Sequence, residues 1–368
     1  MIEKYYDGAI EQVAAGLGTV EKNHLLVRYS GQFSIEELSY TDQLEKMENI
    51  FVQMHEFEPG EITSAYEPYL TMICDGFRRY MTGTFEEFME ECDVYYLHRP
   101  VLLGYFNRGY AKREEIILLD EVAYEQERML AALERMLYAI ADRHPVLLIL
   151  NRFQLASKST MQLTARILKA ENSNIGLVLG VSDIQAMPEF LVPDWEMLYE
   201  TLDDGSKIYH IGNSGRKKEE IADDGKYADY GSEKVYRKLQ NMVEFLDFDQ
   251  AAYYLEVIER KIKFDNLFVD DPARFRMWLL FAKVSILRKD IPKALEICED
   301  LEKIHLAGRE DECAYEQDYL IATAYMYQGK LKEALEMAGE TYCIAEKISD
   351  DYRKFLSELL KTQIQMSG

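Results

Sequence analysis

The residues of this sequence with the clearest potential for chemistry are an Asp-Glu pair that follows a short apolar segment. Asp120 and Glu121 come directly after four apolar residues, 116–119. A carboxylate pair at the end of a buried strand can hold a divalent cation and activate water. The sequence favours a simpler interpretation, in which Asp120 caps the helix that follows. Asn151 follows a second apolar segment, 146–150, and offers a polar but uncharged side chain there.

A phosphate-binding loop would complete such a site, and this sequence lacks one. The loop requires G-x-x-x-x-G-K-[ST] between a strand and a helix, because backbone N–H groups converge on the phosphates, lysine neutralises them and the hydroxyl holds Mg²⁺. No such string occurs. After the predicted strand 24–29, Gly31 occupies the place of the first glycine. Glu36, Glu37 and Leu38 stand where Gly, Lys and Ser/Thr are required, and two carboxylates would repel a triphosphate.

Short apolar segments alternate with amphipathic helices over residues 1–212. Continuous apolar strands separated by helices indicate a mostly parallel sheet that is covered on both faces. We therefore predict an α/β domain over these residues. The predicted strands are 24–29, 116–119, 146–150, 175–181 and 207–211, and the predicted helices are 67–81, 125–142, 159–170 and 195–202.

The order of these segments resembles the nucleotide-binding module of STAND-type signalling ATPases, relatives of the AAA proteins. The strand 145–150 runs into Asn151-Arg-Phe-Gln-Leu-Ala-Ser157, and Tyr66-Glu-Pro-Tyr69 looks like the Tyr-x-Pro segment of the family. In that family the strand ends in two Asp, so the acid that coordinates Mg²⁺ corresponds to Asn151, which is neutral. In a second register, the Asp-Glu pair at 120–121 is the metal-and-base pair and Asn151 is the polar sensor residue.

The resemblance implies a P-loop-NTPase-like fold that is degenerate, since neither register supplies the missing loop. A vestigial nucleotide site would contain Gly31, Asp120, Glu121 and Asn151. ATP and Mg²⁺ would be cofactors only if an atypical loop around Gly31 replaced the missing motif. We predict no catalytic residue, no metal ligand and no cofactor, because the six histidines and five cysteines show no metal-ligand spacing.

From residue 232 to residue 368 the sequence shows only helical periodicity, and this pattern repeats. Ala294 and Ala334 lie forty positions apart, each in a helix–turn–helix pattern. Small residues at such positions let two antiparallel helices cross closely. The repeat resembles the tetratricopeptide repeat (TPR), with a period longer than the usual length of about 34 residues. The first copy contains Trp278, Phe281, Ala282 and Asp290, the second contains Ile321, Ala322, Tyr325 and Gly329, and a weaker copy contains Val243, Phe248 and Ala252.

This resemblance implies an all-α domain of stacked helical hairpins that binds a protein or a peptide. Glycines and charges over residues 213–231 indicate a linker or surface loop before it. Trp278, Tyr315, Tyr319 and Tyr325 are predicted to line the partner surface, although Trp278 would also suit the core. Carboxylates among them, Asp311, Glu312, Glu316 and Asp318, favour a basic partner segment with apolar anchors. The same surface could instead pack against the chain's own α/β domain.

The net charge of −24 excludes several partners. Nucleic acid and anionic membrane surfaces would be repelled, so we expect neither as a direct ligand. An odd number of cysteines and no signal peptide favour a cytoplasmic setting. The sequence leaves a homo-oligomer open.

We therefore expect a bacterial-type signalling or scaffold protein with a pseudo-ATPase domain and a partner-binding TPR-like array. Two alternatives remain. One is a nucleotide-dependent STAND switch with an atypical ATP site. The other is the sensor portion of a transcriptional regulator whose DNA-binding module lies outside this chain.

Overall fold

A computed structural model describes residues 2–19, 24–31, 33–38, 44, 49–109, 121–170, 172–182, 187–202, 208–211, 230–265 and 267–367. Contacts divide the chain into two compact units, Met1–Ile116 with Ala123–Ala228, and Ile117–Val122 with Asp229–Gly368. The predicted strand 116–119, Asp120 and most of the predicted linker 213–231 fall outside the described residues, so the boundaries at 212 and 232 stay predictions. Among the described helices, none combines the length and apolar character needed to cross a bilayer.

The first unit contains a parallel sheet of five strands. Neighbouring strands are parallel throughout, in the order β2-β3-β4-β1-β5. The carboxyl ends of all five strands therefore lie along one edge of the sheet. The expected parallel sheet is confirmed, and β3 and β4 are buried along their whole length. The strands are β1 (His24–Tyr29), β2 (Phe51–Glu56), β3 (Val146–Asn151), β4 (Ile175–Ser182) and β5 (Ile208–Ile211).

Seven described helices accompany this sheet. The sequence predictions included the helices Tyr69–Tyr80, Val122–Ala141, Lys158–Lys169 and Val192–Leu202, but missed Ile2–Gly16, Arg99–Arg108 and the edge strand β2. β2 was missed because its sequence, Phe-Val-Gln-Met-His-Glu, has no continuous apolar run, and only Phe51 is fully buried. The helices are α1 (Ile2–Gly16), α2 (Tyr69–Tyr80), α3 (Phe85–Glu91), α4 (Arg99–Arg108), α5 (Val122–Ala141), α6 (Lys158–Lys169) and α7 (Val192–Leu202).

A hydrophobic cluster joins α1 to the sheet. Tyr6, Ile10 and Val13 of α1 pack with Val27 of β1 and Val178 of β4. All five side chains are buried, so α1 covers the central strands on one face. This apolar contact is what holds the amino-terminal helix in the first unit.

The Tyr-Glu-Pro-Tyr segment before α2 attaches that helix to α6 through polar contacts. The Tyr66 N–H donates to Ser159 Oγ at 3.0 Å, and Thr160 Oγ1 donates to the Glu67 carbonyl at 2.9 Å. Tyr69 Oη lies 2.7 Å from Thr164 Oγ1. Buried polar groups must be hydrogen-bonded, so these pairs fix how α2 lies on α6. The segment therefore has a structural role in this chain.

The second unit is helical throughout its described residues from 230 to 367. Consecutive helices α10 and α11, α12 and α13, and α13 and α14 pack against each other. The helices are α8 (Glu233–Glu244), α9 (Phe248–Phe264), α10 (Asp271–Leu287), α11 (Ile291–Leu301), α12 (Glu310–Tyr327), α13 (Leu331–Lys347) and α14 (Asp351–Met366).

The same turn ends four of these helices. In each turn one residue adopts a left-handed conformation, and the next N–H donates to the carbonyl five residues earlier, which is the Schellman motif. The motif satisfies carbonyls at the helix end and reverses the chain within a few residues. The left-handed residues are Leu246 (φ 68°), Lys289 (φ 65°), Gly329 (φ 75°) and Ser349 (φ 56°), and the closing hydrogen bonds measure 2.7, 2.8, 3.0 and 3.0 Å.

The turns give a common register to three hairpins. Five residues after the first three left-handed residues lie Ala251, Ala294 and Ala334, and none of the three is exposed to solvent. Ala251, and not the neighbouring Ala252 named from the sequence, is therefore equivalent to the other two. Seven residues before the second and third turns lie Ala282 and Ala322, which are also fully buried. Small side chains thus occur where the two helices of a hairpin pack closely.

The left-handed turns predict opposite effects for two Gly→Ala substitutions. Gly329→Ala places a Cβ at φ 75° and is expected to lower the free energy of unfolding by about 1 kcal/mol. Gly339→Ala lies inside α13, where an added Cβ meets nothing within 4 Å, and should raise it by about 1 kcal/mol. Ser349→Gly should also stabilise, because glycine removes the left-handed strain. Urea denaturation of the full chain measures all three, and stabilisation by Gly329→Ala would contradict the turn.

Candidate functional site

The carboxyl edge of the parallel sheet brings together the ends of four strands. Tyr29, Glu56, Asn151 and Ser182 are the last residues of β1, β2, β3 and β4. Open parallel sheets bind ligands outside the carboxyl ends of their strands. This edge is therefore the place to test the predicted nucleotide site.

Asn151 is fully buried and its amide group is occupied on both sides. Its Oδ1 accepts a hydrogen bond from Tyr29 Oη at 2.6 Å. Its Nδ2 donates to the Phe33 carbonyl at 3.1 Å and to Glu56 Oε1 at 3.4 Å. An aspartate could not donate these two hydrogen bonds. The neutral residue is thus required by the network, which joins β3, β1 and β2.

Glu56 holds the segment that follows β1. Its Oε2 accepts from Ser34 Oγ and from the backbone N–H of Ile35, both at 2.9 Å. Its Oε1 lies 3.1 Å from Arg152 Nη2. In a phosphate-binding loop, backbone N–H groups after the first strand point at the phosphates. Here a carboxylate of the chain itself accepts from one of them.

The segment after β1 is not shaped as a phosphate cradle in its described residues. Ser34 caps a short 3₁₀ helix, Ile35–Glu37, and Leu38 is buried against the core. Gly31 has φ 109°, and its carbonyl accepts from Ser182 Oγ at 3.0 Å. The two carboxylates of Glu36 and Glu37 are exposed. The chain therefore uses this segment to close the edge of the sheet.

The four residues predicted for a vestigial nucleotide site have different surroundings. Gly31 and Asn151 both lie at the carboxyl edge with different partners: the Gly31 carbonyl accepts from Ser182 Oγ, and Asn151 Nδ2 donates to the Phe33 carbonyl. Glu121 is an exposed turn residue directly before α5, and Asp120 lies outside the described residues. Among the described residues, no group of three or more His, Cys, Asp or Glu side chains is arranged to hold a metal ion.

Two residues of this network, Glu56 and Tyr29, were missed by the sequence analysis. Glu56 ends the unpredicted strand β2, so its position at the edge could not be foreseen. Burial raises the pKa of Tyr29, which keeps its hydroxyl protonated as the donor to Asn151. Gly180 leaves the space that this contact needs, because a Cβ there would lie 2.6 Å from Asn151 Oδ1.

The aromatic residues predicted for the partner surface of the second unit divide into two pairs. Trp278 and Tyr315 are only 4% and 2% exposed, and Tyr315 Oη donates to the Arg353 carbonyl at 2.9 Å. Both therefore pack between helices, and their assignment to a partner surface needs correction. Tyr319 and Tyr325 are partly buried against the α12–α13–α14 cluster and retain some surface.

Most carboxylates near these aromatic residues are paired with cations of the same unit. Asp311 pairs with Lys347, Glu312 with Arg309 and Glu316 with Arg353, each at 2.7 Å. Surface pairs of this kind contribute little to stability. They do neutralise these three carboxylates in the free protein.

Asp318 differs from its neighbours. Within the described helices, no Lys or Arg forms an ion pair with it. Partial burial, followed by repulsion from the Glu340 and Glu302 carboxylates, raises the pKa of Asp318 to about 6. These three carboxylates, called here the acidic recess, come from α12, α13 and the end of α11. A cation placed there would stabilise the ionised form of Asp318.

The edge network predicts that Asn151→Asp is destabilising. The substitution removes two donors and leaves a second carboxylate next to Glu56, so the free energy of unfolding should fall by about 3 kcal/mol at pH 7. The loss should be smaller at pH 4, because like charges raise the folded-state pKa and protonation relieves the repulsion. Guanidinium denaturation of the full chain at both pH values measures this.

Asn172→Asp is the matched control for Asn151→Asp. The Asn172 Oδ1 only accepts, from the Asn174 N–H at 2.9 Å, so aspartate keeps that hydrogen bond. We expect a change within about 0.5 kcal/mol. Equal losses for the two variants, or a larger Asn151→Asp loss at pH 4 than at pH 7, would disprove the role given to the network.

A scan against models of known protein families finds no match to this chain, and a search of curated proteins finds none either. The assignment of a function therefore depends on the chemistry of these two regions.

Proposed function

We propose that this protein is a non-catalytic signalling or scaffold protein that binds a basic segment of a partner protein. The second unit acts as a TPR-like array that holds the partner. The first unit acts as a degenerate STAND/AAA-like module that does not hydrolyse nucleotide. The observation that carries the proposal is the half-buried carboxylate of Asp318 in the acidic recess, which pairs with no Lys or Arg of the described residues.

The repeated turns and crossing residues support the TPR-like array. Hairpins that share a register stack side by side, and stacked hairpins create extended surfaces that bind proteins or peptides. The crossing positions Ala294 and Ala334 have the small side chains that such stacking requires. The equivalent residues Ala251, Ala294 and Ala334 lie 43 and 40 positions apart, a longer period than the usual TPR length of about 34 residues.

The acidic recess supports a basic partner. The pKa of Asp318 near 6 means that the free protein holds its charge at neutral pH at some cost, because partial burial disfavours the charge and Glu340 and Glu302 repel it. A lysine or arginine side chain from a partner would remove this repulsion. Charge complementarity of this kind favours one class of partner over others. An acidic partner segment would be excluded by the same carboxylates.

The edge network supports the loss of nucleotide hydrolysis. Glu56 accepts a hydrogen bond from the Ile35 N–H. In a phosphate-binding loop, a backbone N–H in this segment would have to donate to the phosphate instead. Both the oxygen and the nitrogen of the Asn151 side-chain amide are hydrogen-bonded within the chain. The side chain is also neutral, so it lacks the negative charge that would attract Mg²⁺. Hydrolysis would require Glu56 and the whole segment after β1 to move.

The first experiment tests the pseudo-ATPase part. The full chain with ATP and Mg²⁺ should release no phosphate above the buffer rate, and its melting temperature should equal that with EDTA. The reason is that Glu56 blocks the segment after β1. Calorimetry that detects micromolar ATP binding, abolished by Asp120→Ala, would contradict the proposal and favour a nucleotide switch.

The second experiment tests partner binding with three peptides of equal length that differ only in Lys, Ser or Glu at the same positions. Fluorescence anisotropy with the full chain should detect binding of the Lys peptide alone. Asp318→Asn should weaken it about tenfold, the effect of about 1.4 kcal/mol. Affinity should rise between pH 5 and pH 7, because the pKa of Asp318 is about 6 and its ionised form attracts lysine.

Glu336→Gln is the control for Asp318→Asn, since Glu336 is an exposed carboxylate on the same hairpin. It should leave the affinity unchanged within twofold. Equal effects of the two variants, or equal binding of the Ser and Lys peptides, would show that the acidic recess does not recognise the partner.

A further inference from the structure

The acidic recess has a counterpart one hairpin earlier, where α9 and α11 meet. The fully buried alanines that follow the turns at the starts of α9, α11 and α13 give spacings of 43 and 40 positions between equivalent residues. By these spacings Glu302, at the end of α11, is equivalent to Glu259 of α9. Glu340 of α13 is equivalent to Asp300 of α11. The same two carboxylate positions therefore occur in both places.

In the α9–α11 contact these carboxylates hold lysine side chains. Lys263 Nζ lies 2.8 Å from Glu259 Oε1 and 3.7 Å from Asp300 Oδ2. Lys293 Nζ lies 3.0 Å from the same Glu259 oxygen. The hydrogen bond to Glu259 raises the pKa of Lys263, so this contact stabilises the charged ammonium group. The repeat thus shows, within this chain, which side chain occupies these two carboxylate positions.

The acidic recess keeps the carboxylates and lacks both lysines. Lys263 lies in the last turn of α9, which continues to Phe264. The shorter helix α11 ends at Leu301, so no helical residue takes the place of Lys263. The residue equivalent to Lys293 is Glu333. Glu302 and Glu340 are exposed and Asp318 is half-buried, so the recess is open to a partner.

Two further features of the recess favour a cation. Asp318 is equivalent to Trp278, which is buried in its own hairpin, so a third carboxylate replaces an indole ring. The carboxyl end of α11 at Leu301 adds the negative end of a helix dipole. Lys303, which follows Glu302 in the sequence, donates instead to Asp300 Oδ1 at 2.7 Å. The recess therefore contains the anionic part of a lysine site.

The chemistry of the recess suits an ammonium group better than a guanidinium group. An ammonium is compact and has three donors that rotate freely, and the recess has three carboxylates from three helices. A guanidinium is a planar fork that matches one carboxylate with two hydrogen bonds. A metal ion is a poorer fit, because no group of three acidic side chains among the described residues is arranged to hold one.

We propose that the acidic recess binds one lysine side chain of the partner, and selects lysine over arginine. The ammonium group lies among Glu302, Glu340 and Asp318, as that of Lys263 lies between Glu259 and Asp300. The inference rests on the proposed function and narrows the basic partner segment to one that presents lysine.

The first test adds two peptides to the Lys, Ser and Glu series, with arginine or Nε-acetyl-lysine at the same positions. Fluorescence anisotropy with the full chain should show the arginine peptide binding about tenfold more weakly than the Lys peptide, because the fork cannot serve three carboxylates. The acetyl-lysine peptide should not bind, since acetylation removes the charge. Arginine and lysine peptides of equal affinity would overturn the inference.

The second test supplies the missing lysine from the chain itself. Glu333→Lys places an ammonium group at the position equivalent to Lys293, where it can reach Glu302 as Lys293 reaches Glu259. The variant should bind the Lys peptide about tenfold more weakly, because the recess is then occupied. Glu333 is exposed, and an unchanged circular dichroism spectrum establishes that the variant folds.

Glu346→Lys is the control for Glu333→Lys, since it makes the same change of charge at an exposed position near the other end of α13. Its effect on affinity should stay within about twofold in 0.15 M salt, where charges more than about 8 Å apart are largely screened. Equal effects of the two variants, or full affinity in Glu333→Lys, would show that the recess is not equivalent to the α9–α11 contact.

The two sets of peptides separate this inference from the proposed function. If the Lys and arginine peptides bind equally and the Ser peptide does not, the basic partner remains and the lysine site is wrong. If the Ser peptide binds as tightly as the Lys peptide, the proposed function fails, and the lysine site fails with it.

Discussion

The Glu56 carboxylate determines what the carboxyl edge of the sheet can do. It accepts from the Ile35 N–H and Ser34 Oγ, pairs with Arg152 and meets the amide of Asn151. In a partly buried site a carboxylate with these donors is well stabilised, and removing one partner leaves the others unsatisfied. The edge where an open parallel sheet usually binds its ligand is thereby closed by the chain itself.

A different constraint governs the second unit. A left-handed residue ends each first helix, and a small residue follows at a fixed distance, so successive hairpins take the same geometry. Leu246 and Lys289 adopt this conformation without being glycine, which costs about 1 kcal/mol each. The hydrogen bonds of these turns and the burial of Ala251 and Ala294 offset that cost. The register, more than the identity of any turn residue, is what the hairpins share.

Burial patterns explain which parts could be predicted from the sequence. β1, β3 and β4 are continuous apolar segments, so periodicity identified them. β2 lies at an edge and carries polar residues, so the strand and its terminal Glu56 were missed, and with them the reason that Asn151 is neutral. In the helical unit, Ala294 and Ala334 were recognised by spacing. Trp278 and Tyr315 were assigned to the surface although they are buried. The helices α10 and α12 contact other helices on two sides, so their sequences have no polar stripe that would distinguish core positions from surface positions.

The repeat also determines how charge is distributed along the array. Asp271, Asp311 and Asp351 recur every forty residues, and each begins or lies near the start of a first helix, where the helix dipole favours a negative charge. Asp311 meets Lys347 of the neighbouring helix, whereas Asp271 pairs with Arg274 of its own helix. In α14, Asp351 pairs with Lys354 and Glu358 pairs with Lys361, both within the same helix. The repeat therefore fixes the position of the carboxylate near the start of each first helix, while its cation comes either from a neighbouring helix or from the next turn of the same helix.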